Sequence, residues 1–391
     1  MIKFDSVEEA YSSKTKKELY KSYFLFRLIK SSFITYILTK ILKISLFLRL
    51  PINSIIKSTV YEQFCGGVSI PDSEKVINTL WKSNIGTILD YSAEGKKTDE
   101  DFDYVVTEII ASIKKAKNTE CIPFAVFKIS GVSSYDILKK LNSKDDLNSN
   151  EEFELKRIYE RVEKICNEAY KSRVRLFIDA EESWIQNSID YIVLSMMRKY
   201  NKKTPIIYNT IQFYRIDRIA YLKNLIQKAK KENFYLGLKL VRGAYHEKEI
   251  ERSKRLSYNC PVHIEKKKTD LDFDLSLRIC LENIERVWIC AGTHNEESSS
   301  LLVDLMKKYK IDKNDERIYF SQLYGMSDNI SYNLSKNTYK VAKYVPYGPV
   351  KDVVPYLIRR MKENTSISGQ VGRELKNITK EIKRRRFNQD K

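Results

Sequence analysis

Histidine and cysteine are scarce in this chain, and both are scattered. Only His246, His263 and His294 occur in 391 residues, and no HExxH is present. That leaves no His/Cys cluster at zinc spacing and disfavours a Ser-His-Asp hydrolase. The six cysteines (Cys65, Cys121, Cys166, Cys260, Cys280 and Cys290) form no CxxC pair. They read as reduced thiols of a cytosolic protein, not as a disulfide framework. Twelve glycines and eight prolines are too few for a collagen-like or low-complexity chain. No stretch reaches the ~20 uncharged residues of a spanning helix. The polar N-terminus, with Glu8, Glu9 and Glu18, lacks the apolar core of a signal peptide. Neither GxGxxG nor GxxxxGK followed by Ser or Thr occurs, so neither a dinucleotide-binding turn nor a P-loop is signalled.

Acidic residues are also in deficit: 70 Lys and Arg face 51 Asp and Glu, a formal charge of +19. Lysine is abundant together with Asn, Ile and Tyr, which reads mainly as compositional drift. The surplus still creates a positive field that attracts anions. The length suffices for a large core, and α/β barrels run to about 250 residues as one domain. Residues 23–56 are rich in Phe, Leu and Ile but interrupted by Arg27, Lys30, Lys40, Lys43 and Arg49. Two readings fit this segment: amphipathic helices packed on the main body, or a basic amphipathic stretch lying on a membrane.

From about residue 86, short apolar, β-branched runs alternate with longer charged stretches of helical period. The runs lie at 87–91, 124–129, 174–178, 205–208, 235–241, 287–291, 318–323 and 342–345. Near-continuous apolar runs indicate strands buried on both faces, hence a parallel sheet. Eight strand-then-helix repeats favour a (βα)8 barrel of TIM type over a doubly wound sheet. The expected organisation is a helical segment over 1–85, the barrel over 86–370 and a basic tail over 371–391.

The ends of the runs are polar: Asp90 with Glu94, Lys128, Asp179 with Glu181, Gln212, Arg242 with Tyr245, His294 with Asn295, Gln322 and Tyr344. Such groups at the ends of buried strands are costly unless paired or lining a site. In a barrel they all face one mouth, where active sites of this fold lie. Near the end of the chain, Tyr344 opens the run YVPYGPVKDVVPYLIRRMKEN. Pro346, Gly348 and Pro349 mark a loop, and 350–364 reads as a helix with Tyr356 one turn before Arg359 and Arg360. Paired guanidinium forks suit a carboxylate or phosphate. KLVRGAY, from Lys239, delivers Lys239 and Arg242 to the mouth beside the small Gly243 and Ala244, which permit close backbone approach by a flat or phosphorylated ligand.

These segments resemble the proline dehydrogenase family of flavoenzymes. The matching motifs are QFCGG from Gln63, LDYSAEG from Leu89, FKISG from Phe127, IDAEES from Ile178, NTIQ from Asn209, KLVRGAY, GTHN from Gly292, QLYGMSDN from Gln322, and the YVPYGP and YLIRRMKEN pair. The likeness runs from about Tyr61 to about Asn364, and KLVRGAY followed by YLIRRMKEN is a specific combination. It implies a (βα)8 barrel whose last helix folds across the mouth. It also implies non-covalent FAD, oxidation of L-proline to Δ1-pyrroline-5-carboxylate, and a membrane quinone as acceptor. By motif, Arg359, Arg360 and Lys128 would hold the substrate carboxylate. Tyr344, Tyr356, Tyr245 and Leu323 would wall the ring pocket, Glu94 would pair with Arg359 as a gate, and Asp179 would support the site. Gln212, Lys239, Val241, Arg242, Gly243, Ala244, Thr293, His294 and Glu363 would bind FAD. Hydroxyproline-oxidising members lack the tyrosine matching Tyr344, which favours proline. The stretch CPVHIEKKKTD from Cys260 matches loosely, with Lys266 and Thr269 near the expected adenosine end.

The length leaves no room for an aldehyde dehydrogenase half, so a monofunctional enzyme is expected, cytoplasmic and peripheral on the inner face of a bacterial membrane, with no nucleic-acid partner. Two rivals stand beside this reading. A nucleic-acid binder is suggested by Lys383, Arg384, Arg385 and Arg386 and by the +19 charge, but leaves the polar strand ends unexplained. An inactive scaffold is disfavoured by the intact motif residues.

Overall fold

The computed structural model describes residues 3–48, 53–92, 96–366 and 370–388. Eight strands form a closed barrel: β1 (Ile85–Tyr91), β2 (Phe124–Phe127), β3 (Arg175–Ile178), β4 (Ile207–Gln212), β5 (Leu236–Val241), β6 (Val287–Gly292), β7 (Ile318–Leu323) and β8 (Val341–Tyr347). Every neighbour pair is parallel and follows chain order. The ring shuts between β1 and β8, from Ile85 opposite Val341 to Tyr91 opposite Tyr347. The longer helices that precede the barrel are α1 (Lys16–Ile29), α2 (Ser32–Phe47) and α3 (Glu74–Trp81). The crossovers are α4 (Asp99–Lys117), α5 (Tyr135–Ser143) with α6 (Ser149–Ser172), α7 (Ser183–Tyr200), α8 (Arg218–Lys231), α9 (His246–Arg255) with α10 (Lys266–Glu282), α11 (Glu296–Lys308) and α12 (Asp328–Lys336). After β8 come α13 (Val350–Ser366) and α14 (Gln370–Phe387).

The strands are buried on both faces, which accounts for their unbroken apolar runs. Outward residues such as Leu89, Leu176 and Leu238 share one core with Ile109, Ile165 and Ile189 of the helices. Inside the ring, Phe124 stacks on Phe177 at 4.3 Å between centroids, and both meet Tyr208 edge-on. Gly237 is required here, because a Cβ at that position would lie 2.5 Å from the Tyr208 ring. The other end of the interior is polar, and it is there that the strand-end residues converge.

Three stretches differ from the sequence reading. The fourth strand lies later than 205–208, and it holds the polar Asn209, Thr210 and Gln212, all buried. Asn209 belongs there because its amide donates to Asp190 at 3.0 Å and to Tyr221 at 3.1 Å. The stretch read as a basic tail is the helix α14. Val371, Leu375, Ile378 and Ile382 recur at helical spacing and join a second core with Leu19 and Phe26 of α1 and Leu357 of α13. Its arginines are engaged at home: Arg384 and Arg385 pair with Glu381, Arg385 also donates to the carbonyls of Tyr11 and Lys14, and Arg386 meets Tyr20. The third is α2, which packs on α1 and α13 through Thr35, Thr39 and Leu42 and leaves most of its apolar side chains outward.

The QFCGG segment braces the entry to α13. The Gly66 amide donates to Pro346 O at 2.8 Å, Gly348 N donates to Gly67 O at 3.0 Å, and the Tyr61 hydroxyl donates to Gly348 O at 2.8 Å. Gly348 itself sits at φ +137, in the region that favours glycine. The turn that aims α13 at the mouth is thus fixed by residues some 280 positions earlier in the chain, as the 287-residue span of the Tyr61 bond records.

Candidate active site

A cavity of about 500 Å³ opens at the C-terminal ends of the strands, beneath α13. It gathers Lys128, Asp179, Gln212, Lys239, Val241, Arg242, Gly243, Ala244, Tyr245, Thr293, His294, Leu323, Tyr344, Tyr356, Arg359 and Arg360 in one lining. Glu94 lies outside the described residues, as does the side chain of Glu363 on α13. Among the described residues, seven cationic side chains and two carboxylates face the cavity, so the space is built for anionic groups.

Asp179, just past β3, is the hub. Its amide donates to Phe127 O at 2.9 Å, which fixes the residue beside β2. One carboxylate oxygen accepts from Lys239 of β5, and the other accepts from the Tyr344 hydroxyl of β8 at 2.6 Å. Lys128 stands 3.9 Å from Asp179 and 3.8 Å from Asp90. Burial alone would push the Asp179 carboxyl up; Lys239 and Lys128 outweigh it and hold it below the usual carboxylate range. Burial, with Asp179 and Asp90 nearby, pushes the Tyr344 phenol well above its ordinary value, so it stays a donor. The Lys239 ammonium also lies over the Tyr344 ring at 4.9 Å and the Phe177 ring at 5.2 Å. These four groups hold each other in one geometry.

A second cluster forms the opposite wall. Arg242 donates to Asp270 and Thr293, each at 2.6 Å, and to Ser298 at 2.8 Å, so its fork is locked. His294 meets Ser327 through Nδ1 at 2.9 Å, and its carbonyl accepts from Arg373 at 2.7 Å. Burial, reinforced by Lys343, Arg360, Arg373 and Arg242, pushes His294 well below its ordinary value, so the imidazole is neutral at physiological pH. Gln212 donates to Glu181 O at 2.7 Å and Gln322 to Thr293 O at 3.1 Å, which ties neighbouring strand ends together. The close side of α13 carries Tyr356 and Arg360, with the guanidinium 5.2 Å from the ring centre.

Several lining residues carried no role in the sequence reading, Thr210, Met326, Asp90 and Arg373 among them. Thr210 is a mid-strand residue, Met326 lies in the loop after β7, Asp90 stood only as a strand end, and Arg373 falls in what read as a tail. Thr210 Oγ1 is buried with no hydrogen-bond partner among the described residues, and it faces the cavity. A flat, polar, anionic group such as FAD fits this lining. Gly243, at φ +128, could carry no Cβ without meeting the Tyr214 ring at 2.6 Å, and it lies in the cavity lining. Of the residues tied to the adenosine end, Lys266 reaches the lining, while Thr269 is buried in α10.

Glu181 lies just behind the mouth, where Ser130 donates to it through its amide at 3.0 Å and through its hydroxyl. Burial pushes this carboxyl up to about 7 from an ordinary 4.5. The folded chain therefore holds a proton that the unfolded chain releases between these values. The associated stability is complete below about 4.5 and is lost as pH rises through about 7. Glu181→Gln is expected to flatten the decline in unfolding free energy between pH 5 and pH 8, followed by urea titration. An unchanged slope would remove Glu181 as its source.

A closed parallel (βα)8 barrel with a cationic cavity at its C-terminal mouth, roofed by the last barrel helix, defines an enzyme-class scaffold of TIM type. Residues 73–373 match the family model described as proline dehydrogenase. The chain is 34% identical to the mitochondrial proline dehydrogenase 1 of Dictyostelium discoideum, over 96% of its own length and 74% of that protein. It is 31% identical to the carbapenem antibiotics biosynthesis protein CarD of Pectobacterium carotovorum, over 84% and 85%. Among solved structures, proline utilization A from Bdellovibrio bacteriovorus superposes with a TM-score of 0.74 at 19% identity, over 93% of this chain and 38% of that larger one, a likeness of fold. The chain belongs to the proline dehydrogenase family.

Proposed function

We propose that the protein oxidises L-proline to Δ1-pyrroline-5-carboxylate with FAD as cofactor and a membrane quinone as final acceptor. The observation that carries this reading is the juxtaposition, in one cavity, of the paired arginines of α13 with the Lys239–Asp179–Tyr344 cluster, in a chain of this family. Arg359, Arg360 and Lys128 bind the carboxylate. Desolvating that group demands paired donors, and a bidentate fork also sets its orientation. Tyr344, Tyr356, Tyr245 and Leu323 wall the ring. Lys239, Arg242, Gln212, Val241, Gly243, Ala244, Thr293 and His294 hold FAD, with Thr210 Oγ1 as a further polar contact. When bound, FAD supplies the acceptor for a hydride from the ring carbon next to nitrogen.

The residues contribute positioning above all. The substrate amine must be neutral to release hydride, and its remaining proton leaves to solvent. Asp179 is held ionised by Lys239 and Lys128 and already accepts from Tyr344, so its role is to orient those groups, not to take the proton.

An anaerobic visible spectrum, recorded before and after L-proline, tests this. A flavin spectrum that bleaches on L-proline is expected. A flavin that stays oxidised with proline but bleaches with hydroxyproline overturns the substrate. A colourless protein that cannot be reconstituted with FAD overturns the cofactor and the reaction together.

A further inference from the structure

Helix α2 is built inside out. Its protein-facing side carries Thr35 and Thr39, 3% and 5% exposed, beside the half-buried Leu42, while Phe33, Ile41 and Ile44 are 71%, 54% and 56% exposed. Phe33, Ile37, Ile41 and Ile44 follow one another at helical spacing and form one outward stripe, with Tyr36 and Lys40 along its edge. Phe24 and Leu28 of α1 and Ile55 beyond α2 are exposed as well. A helix this apolar is ordinarily buried, and an outward apolar face of this extent marks an interaction surface.

Charge decides what covers it. From Leu19 to Tyr61 the sequence holds seven Lys or Arg and no Asp or Glu. A second copy seated on the same face would bring like charges together. An anionic bilayer instead supplies both the apolar depth and the opposite sign. Spanning is excluded by length and charge: α2 has 16 residues, about 24 Å against a hydrocarbon core of ~30 Å. Among the described residues no helix is long and apolar enough to cross a membrane.

We propose that the outward stripe of α2, with Phe24 and Leu28, lies in the headgroup layer of an anionic membrane. Because α2 packs directly on α13, the docked face adjoins the helix that carries Arg359 and Arg360. In purpose this surface rests on the reading above, in which electrons leave to a quinone in the bilayer; the contact itself involves no turnover.

Sedimentation of the full chain with phosphatidylglycerol/phosphatidylcholine vesicles tests the contact. Binding is expected, falling with added salt and about fivefold for each of Lys30→Gln and Lys40→Gln. Ile37→Glu with Ile41→Glu should lower it at least tenfold while L-proline still bleaches the flavin of the free protein. As an independent check, the fluorescence of Ile41→Trp should shift to the blue on adding vesicles. Wild-type-like binding by the Ile37→Glu, Ile41→Glu variant, or no shift in the Ile41→Trp emission, would overturn the proposal. So would a wild-type dimer that ignores vesicles and that the double glutamate variant dissociates, which would assign the face to a second copy. Vesicle binding without any bleaching by proline would strike the enzymatic reading and leave this one standing.

Discussion

Replacing Arg360 by methionine should raise the KM for L-proline by about 30-fold to 3,000-fold while FAD stays bound. Arg360 is buried on the cavity side of α13, with its guanidinium 5.2 Å from the centre of the Tyr356 ring. Methionine preserves the stem that packs there and removes only the charged fork. Truncating one member of a buried, hydrogen-bonded charge pair costs about 2–5 kcal/mol, and 1.4 kcal/mol is tenfold in affinity. An anchor used equally in ground and transition states shifts KM more than kcat. Steady-state kinetics with an artificial dye as acceptor measures both, and the flavin-to-protein absorbance ratio measures cofactor content. A KM within threefold of wild type would remove Arg360 from the carboxylate site. Loss of flavin would instead assign it to the cofactor.

The second large effect falls on stability. Asp179→Ala should destabilise the protein by about 3–5 kcal/mol, because it leaves buried cations without their counter-ion. Lys239 is itself buried, and its ammonium is bonded to the Asp179 carboxylate. Removing Lys239 as well, in an Asp179→Leu, Lys239→Met variant, should recover much of the loss, since apolar replacement of a whole buried pair is often neutral. The pH dependence follows from the direction of the shift. A carboxyl held below its ordinary value of 3.8 stabilises the fold above that pH and ceases to do so as pH falls through its folded value. Wild type should therefore lose more stability below pH 4 than Asp179→Ala does. Urea titrations at pH 7 and below pH 4 check both points. A change under 1 kcal/mol at pH 7 would mean that the ion cluster is not a stability determinant.

The barrel was legible because its strands are buried on both sides and so announce themselves as apolar runs with polar ends. Lys128, Asp179, Arg242, His294 and Tyr344 stand out for that reason alone, and the structure brings them to one cavity. Thr210 and Lys343 gave no such signal. Each is a polar residue inside a strand, and its meaning depends on what lies across the ring. Lys343, fully buried, pairs with Asp328 at 2.9 Å and sits behind His294. Arg373 was hidden differently, because a run of basic residues near Arg384 masks an apolar stripe that only α1 and α13 complete. For α2, helical period was readable, but period fixes neither which face meets the protein nor that the threonines would be the buried ones.

Closure of the ring between β1 and β8 has a consequence for how the molecule comes into being. Asp90 belongs to the first strand, Tyr344 to the last, and Arg373 to the helix after α13. The wall of the cavity is therefore assembled from both extremes of a span of more than 280 residues. A nascent chain halted before Arg373 owns most of the barrel's atoms but no finished cavity, and partial products of synthesis cannot sequester the ligand. Loop closure over such distances is slow compared with local helix formation. A complete cavity thus requires the whole span from Asp90 to Arg373, and ligand capture reports on closure of that span.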